Sequence, residues 1–545
     1  MNVLLVHPED DFALPRGRSG WDLVVDLGRA PAATYARWAR AAGCRVISLY
    51  DFAEEIGDVY QIRDLFKLGM GRAVDRFGID WWDVLNPLLL PGFQQALMLR
   101  RLSEELGPGS HLYSSRPDAR ASALQALLGA DYTCEPSAAG FRRVRHYWQA
   151  RLQLNARQVV QICQDKFDPQ HAIRRRLAPR RRRADRPVVL LPSAYSNVSR
   201  TAAAYAALAP DQHFLLVLAR NEARVKSLPP NVHVVSLDSF YGQQDESEIR
   251  FLVEAWEQLK SHLVSSSPEF KLAGAAGLMA RMPALIRWGV AARNAWHAVL
   301  ESQNVVGCFS ADDANPYTGI PVILAKLRGR PTLACHHGAM DYRMGIKTLH
   351  ADFYLAKGAL ELDYLVRQCR VARERIVVGS PQFSRVAEVI PPPAERRWLV
   401  HFTEPYGSEG WRLDEVYRDL LPGLMALSQA CSLKLVFKLH PYESIEGHRR
   451  MLRRFLTRDQ ARQVEVLSGP ISPGLWQKMR FAITAQSTVA LECAALGIPV
   501  FLCGWLRSPC GGYVQQYTRY SIGHLLNSPA EMSDIPRLLE AEPRP

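Results

Sequence analysis

The chain has 545 residues, with 67 Lys and Arg against 54 Asp and Glu, and a formal net charge of +13. With 48% apolar and 22% charged residues, it has the composition of a protein with packed cores, which excludes a disordered, collagen-like or fibrous chain. At about 100–200 residues per domain the length calls for roughly three compact modules and excludes a single small binding domain.

The start, MNVLLVHPEDDFALPRG, has an apolar run but no basic n-region and no small-residue cleavage site, so it reads as a first strand and not as a secretory signal. Apolar runs along the chain fall short of the ~20 residues that cross a bilayer, and a cytoplasmic protein, soluble or peripheral at the inner face of the membrane, is expected. The first block, residues 1–140, continues with DLVVDLG (22–28), a helical stretch to Gly43, CRVISLYD (44–51) and, after mostly helical sequence, HLYSSR (111–116) with another helix. Short strands alternating with helices predict an α/β layer with a parallel sheet.

Residues 141–186 read as a basic helical connector. Within it Arg174, Arg175, Arg176, Arg180, Arg181, Arg182, Arg183 and Arg186, less Asp185, carry +7 of the net charge. In a chain with 56 Arg and 11 Lys the plainer reading is a solvated linker. The functional one is contact with anionic lipid headgroups through Arg174–Arg186. Nucleic acid is not expected as a partner, because no interleaved aromatics and no recognisable nucleic-acid motif accompany the charge.

A second α/β block, 187–380, runs from RPVVLLPSAYSNVSR through HFLLVLAR (213–220) and VHVVSLDSF (232–240). The apolar stretch 272–300, which carries Arg281, Arg287 and Arg293, reads as a buried domain helix in preference to one lying on a membrane. The block closes with strands at VVGCF, PTLAC, ADFYLA and RIVVG. Pro391, Pro392 and Pro393 mark a stiff boundary, and a third block, 381–530, is followed by a tail, 531–545. The ten cysteines show no CxxC pair and no zinc-type spacing with His, so reduced, mostly buried thiols are expected.

Two segments carry the chemistry. In FAITAQSTVALECAALGIPVFLC a strand ends at Gln486, Ser487 and Thr488, a helix follows, and Gly497 stops it before the next strand. A helix N-terminus at the carboxyl end of a parallel strand suits the phosphate of a nucleotide, and Glu492 lies one turn in, within reach of a ribose hydroxyl. In KLVFKLHPYES (434–444) a strand ends at His440-Pro441. That imidazole can neutralise a departing nucleotide, provided its strand and that of Ser487 and Thr488 share one sheet.

These segments resemble the donor half of bacterial GT-B glycosyltransferases of surface-polysaccharide biosynthesis, among them the sialyltransferase-like and Kdo-transferase-like groups and the CDP-glycerol glycerophosphotransferases. RIVVGSPQFSR is similar to the TGNP-type element of such enzymes, with Ser380 where Asn is usual, and the resemblance covers about residues 300–510. It implies that His440, Pro441, Ser487 and Thr488 contact the donor nucleotide and that Glu492 holds its ribose, as an acid does in sugar-nucleotide epimerases of the same fold. Thr403 and Glu404, after the first strand of the third block, are further candidates for donor contacts.

The base that takes the acceptor proton should come from the other half of the cleft. Asp312 and Asp313 follow the strand VVGCF, and adjacent carboxylates can raise one another's pKa. His336 and His337 follow the strand PTLAC beside Gly338, with Asp341 further along, and a His-Gly pair here resembles the functional histidine of the surface-polymer transferases. No D-x-D occurs in the chain, so no metal clamp on a diphosphate is predicted and no cofactor beyond the nucleotide-sugar co-substrate is expected.

The expected fold is thus α/β and GT-B-like, two facing Rossmann-type domains with an additional N-terminal α/β block. The expected function is metal-independent glycosyl transfer from an activated nucleotide donor, CMP-sugar favoured and UDP or GDP open, to a glycan or lipid-linked glycan acceptor. A sugar-nucleotide 2-epimerase-like enzyme, a CDP-glycerol-type glycerophosphotransferase and a catalytically inactive GT-B scaffold subunit are the alternatives.

Overall fold

The computed structural model describes the chain except residues 9–19, 54–73, 135–183, 339–348, 380–389, 507–512 and 542–545, and short stretches at 221–222, 226, 243–245, 267–269, 272–273, 275–278, 281, 314, 407–409 and 441–442. The Arg174–Arg183 run, Ser380, Asp341 and Pro441 therefore lie outside the described residues.

Three sheets follow one another along the chain. The first has β1 (Asn2–Val6), β2 (Leu23–Asp26), β3 (Arg45–Ser48), β4 (His111–Ser114) and β5 (Asp131–Cys134) in the order β3-β2-β1-β4-β5. The second comprises β6 (Ala184–Ser193), β7 (Phe214–Leu218), β8 (Val232–Ser236), β9 (Gln303–Ser310), β10 (Thr332–Ala334), β11 (Phe353–Ala356) and β12 (Ile376–Val378), ordered β12-β11-β10-β9-β6-β7-β8. The third holds β13 (Trp398–Phe402), β14 (Lys434–Lys438), β15 (Glu465–Leu467), β16 (Met479–Thr484), β17 (Val500–Cys503) and β18 (His524–Leu526) in the order β15-β14-β13-β16-β17-β18.

Neighbouring strands within each sheet pair in parallel. Such sheets need cover on both faces, which is why β7 (FLLVL) and β17 (VFLC) are apolar at every position and fully buried. Each strand order reverses once, between β1 and β4, between β6 and β9, and between β13 and β16. Open α/β sheets bind ligands outside the carboxyl ends of their strands at such reversals. The α/β, GT-B-like architecture is thus present: two Rossmann-type domains, middle and C-terminal, preceded by an N-terminal block with a sheet of the same kind.

The stretch 272–300 yields the helix Met282–Ser302, which buries Ile286, Val290, Trp296 and the whole of Arg293. It packs on the helices Pro316–Leu327 and Glu246–Ser266 of its own domain and, at Gly289, meets the start of the N-terminal block's long helix, Trp81–Leu106. Trp81 fills the space left by the missing side chain of Gly289, where a Cβ would stand 2.3 Å from the indole. One continuous apolar core therefore runs from the first sheet into the middle domain. No described helix is long and apolar enough to cross a membrane, and the described cysteines are free thiols, with Cys308, Cys335, Cys493 and Cys503 buried.

Two expectations are corrected. Arg186, assigned to the connector, belongs to β6, whose pairing with β9 begins at Ala184. The supposed tail from 531 is helical through Ala541 and packs on the third domain, with Ile535 wholly buried. Its apolar residues Ile535, Leu538 and Leu539 supply the packing face.

Replacing Gly289 by Val forces a branched side chain into the Trp81 ring, and overpacking of this kind costs about 1–3 kcal/mol. A lower denaturation midpoint for Gly289→Val is expected, and an unchanged midpoint would show that the Trp81 contact is loose.

Candidate functional site

At the reversal of the third sheet, the loops after β13 and β16 lie side by side, and the loop after β14 flanks them. His440 thus stands two strand spacings, about 10 Å, from the β16 loop, in one sheet as the sequence reading required. Thr403 and Glu404, expected to touch the donor, are buried behind these loops. Thr403 Oγ1 accepts from the His440 backbone N–H at 3.0 Å and donates to Glu443. Glu404 accepts from Thr484 Oγ1 at 3.1 Å and from the Gln486 N–H at 3.2 Å. They set the positions of the His440 and Ser487 loops.

Ser487 and Thr488 are half-buried. Thr488 makes no side-chain cap, and Ser487 Oγ accepts one long bond, 3.5 Å, from the Val489 N–H, so capping engages only one of the two hydroxyls. The helix behind them, Val489–Ala495, is only seven residues long, and its Ala490 and Leu491 amides bond the carbonyls of Ser487 and Thr488. The anion site expected from free amides therefore comes down largely to the two hydroxyls. Glu492, half-buried, has its carboxyl raised to about 7 by burial, against which Lys357 and Arg200 act.

On the facing sheet, Asp312 and Asp313 part company. Asp313 is buried and accepts from the His350 N–H at 3.1 Å, the Ala351 N–H at 3.4 Å and Tyr354 Oη at 3.1 Å. Burial raises its pKa, not repulsion from Asp312. Its enclosure removes it from the candidate bases and makes it the tie between the loops after β9 and β10. Asp312 turns the other way, its Oδ2 3.9 Å from His337 Nδ1. The imidazoles of His336 and His337 lie 4.5 Å apart, centre to centre. One donor atom from each of Asp312, His336 and His337 falls within 4.8 Å of the others, a set able to approach a cation as well as to shuttle a proton.

The histidine loop is held from behind by Lys357. Its Nζ donates to the carbonyl of His336 at 2.7 Å, to that of Gly338, and to Glu361 Oε1 at 2.7 Å, while the Lys357 N–H bonds Glu361 Oε2. Lys438 does the same for the His440 loop, donating to Leu439 and Gly469 carbonyls, and burial lowers its pKa to about 8. Across the cleft the two halves touch: a Cβ on Gly338 would lie 3.4 Å from Thr488 Cγ2. Exposed Arg200, from the middle domain's helix Ser196–Ala206, bears electrostatically on both Glu492 and Lys438.

Sequence reasoning missed Lys357, Glu361, Lys438 and Arg200. Lys438 left a signal, a lysine between the apolar Phe437 and Leu439 just before the His440 turn. The i,i+4 spacing of Lys357 and Glu361 just past β11 was another.

No family model matches the chain, and no curated protein does. Among solved structures it is similar to a UDP-GlcNAc 2-epimerase from Methanocaldococcus jannaschii, with 8% identity over 66% of this chain and 94% of that one and a TM-score of 0.40. A UDP-GlcNAc 2-epimerase from Neisseria meningitidis bound to UDP-GlcNAc gives 9% identity, 65% and 92% coverage and a TM-score of 0.40. The lipopolysaccharide outer core galactosyltransferase WaaB gives 13% identity, 64% and 88% coverage and a TM-score of 0.33. Likenesses at these scores carry no argument about activity, and the architecture rests on the strand orders above.

Two measurements check the electrostatics. The folded chain holds the Glu492 proton to a higher pH than the unfolded chain does, so this contribution to stability is complete below pH about 4.5 and is lost as the pH rises through about 7. The melting temperature of Glu492→Gln relative to the parent should therefore climb between pH 5 and 8, and a constant difference would refute the shift. Lys357→Met strands the buried Glu361 carboxylate and should cost about 3–5 kcal/mol, whereas Lys357→Met with Glu361→Leu should recover most of it, as read by chemical denaturation.

Proposed function

We propose that the protein is a GT-B-like enzyme that uses a nucleotide-sugar and transfers the sugar to a glycan or lipid-linked glycan acceptor. The observation that carries this reading is the meeting of two strand-end crevices, Gly338 of the histidine loop in one domain against Thr488 of the other. Such a cleft receives two substrates from two sides. The donor nucleotide lies on the third domain, its phosphate at Ser487 and Thr488, with His440 offsetting the charge that develops as the nucleotide departs. Glu492 meets the ribose.

Transfer forms a bond between the acceptor oxygen and the anomeric carbon and breaks the bond from that carbon to the donor phosphate oxygen. The acceptor proton passes to His337, which Asp312 orients and stabilises once it is charged. His336 borders the acceptor on the same loop. No metal enters this scheme. Direct displacement with one base inverts the anomeric centre.

The test is a thermal-shift panel with CMP, CDP, UDP and GDP, with and without Mg²⁺, on the parent protein and on His440→Ala and His337→Ala. A ligand that binds only the folded state must stabilise it. One nucleotide should raise the melting temperature of the parent and of His337→Ala but not that of His440→Ala. With the matching sugar donor and an acceptor extract, His337→Ala should lower turnover by about 10²–10⁴-fold. Conversion of the nucleotide-sugar to its epimer without any acceptor would replace transfer by the epimerase reading, and no shift with any nucleotide would overturn both.

A further inference from the structure

Two domains joined by a single link are expected to move relative to one another. Here the N-terminal block grips both. Its hold on the middle domain is the shared core, with Trp81 seated over Gly289 and Arg293 of the middle domain bonded to Asp75 of the block and to its own Glu248. Its hold on the third domain is made by the loop after β2 and the helix Ala32–Ala42. Arg29 and Trp411 form a parallel bridge, through the Arg29 N–H to the Gly410 carbonyl and the Arg412 N–H to the Arg29 carbonyl, both 2.8 Å.

Around that bridge the Arg412 guanidinium, almost wholly buried, chelates Asp26 at 2.7 and 3.0 Å and donates to the carbonyls of His7 and Pro8. Glu415 accepts from Thr34 Oγ1 at 2.9 Å and from Arg37 at 2.6 Å. A Cβ on Gly28 would sit 3.1 Å from the Gly410 carbonyl oxygen, so the backbones are in close contact. The third side of the triangle is the cleft contact of Gly338 with Thr488. Opening the cleft about the 379–397 link would break either the backbone bridge with its buried ion pair or the shared core.

We infer that residues 1–134 act as a strap that fixes the separation of the two facing domains, so that substrates enter a preformed cleft instead of drawing the domains together. This does not depend on which nucleotide or acceptor is used, or on the proposed activity.

The test uses the full chain, with two readouts: the radius of gyration from X-ray scattering, and hydrogen exchange in peptides carrying 336–338 and 487–489. In the parent protein the radius of gyration should not change when UDP is added. Glu415→Arg sets a second cation against Arg37 and should enlarge the radius of gyration and speed exchange in both peptides about tenfold, the factor given by about 1.4 kcal/mol of lost docking energy. Arg37→Glu, at a side chain 39% exposed, should do the same without placing a new charge in a buried position, which covers the case in which Glu415→Arg fails to fold. The swapped pair Arg37→Glu with Glu415→Arg should restore most of the parent behaviour. Contraction of the parent on adding UDP, or parent-like scattering and exchange in both single variants, would overturn the strap.

Discussion

Arg293 has no exposed surface, and the junction between the first two sheets closes only because acids meet it there. Its guanidinium bonds Asp75 and both oxygens of Glu248 and lies over the Phe77 ring at 4.5 Å. Asp75 is itself wrapped by the N–H groups of Phe77 and Ile79 and by the Trp81 indole, and Arg76 faces Glu248 at 3.5 Å. Two cations and two anions thus cancel at the foot of the Trp81–Leu106 helix. Such a cluster adds little stability over an apolar plug of the same volume, yet removing one member leaves a buried charge uncompensated, at about 3–5 kcal/mol. What it contributes is register: one docking of the N-terminal block satisfies all four charges. The positions of Asp26, Arg29 and Arg37 against the third domain follow from that docking.

The strand ends were legible because their signals are local. An apolar run that stops at His-Pro or at Gln-Ser-Thr announces where a parallel strand surfaces, and the chain from FAITA to VFLC folds as strand, short helix and strand with Gly497 at a φ of +61° between helix and strand. What each polar side chain does at those ends was not legible, because the partners are far away in sequence. Thr403 and Glu404 look like site residues by position, and become loop holders only because Glu443, Thr484 and Gln486 arrive from other strands. Asp312 and Asp313 are neighbours of the same chemistry, but the turn after β9 sends their side chains to different partners. One meets His337, and the other meets Tyr354 from β11.

The cations behind the loops follow the same logic. Lys357 and Lys438 each turn an ammonium group inward onto backbone carbonyls at the end of a strand, an arrangement that fixes a loop from below while its imidazoles face the cleft. Lys357 can turn inward because Glu361, more deeply buried still, is one turn along. Lys438, which donates to the Leu439 and Gly469 carbonyls, is the one whose proton is loosened by burial. Charge here is therefore divided between ammonium groups that hold loops from behind and the half-buried Glu492, His336, His337 and His440 with exposed Arg200.

The N-terminal sheet has the same reversal of strand order as the other two, but its crevice is filled by the protein itself. His7 after β1 meets Asp118 after β4 at 3.2 Å, Arg120 closes on the same carboxylate and on the Leu27 carbonyl, and these bonds hold Asp118 well below the usual carboxylate range. Beside them Arg412, from the third domain, occupies Asp26 and the carbonyls of His7 and Pro8. Groups that would greet a ligand in an open α/β sheet are used here to bind the neighbouring domain. The strand ends of the second and third sheets are not joined in this way and meet only at the contact of Gly338 with Thr488.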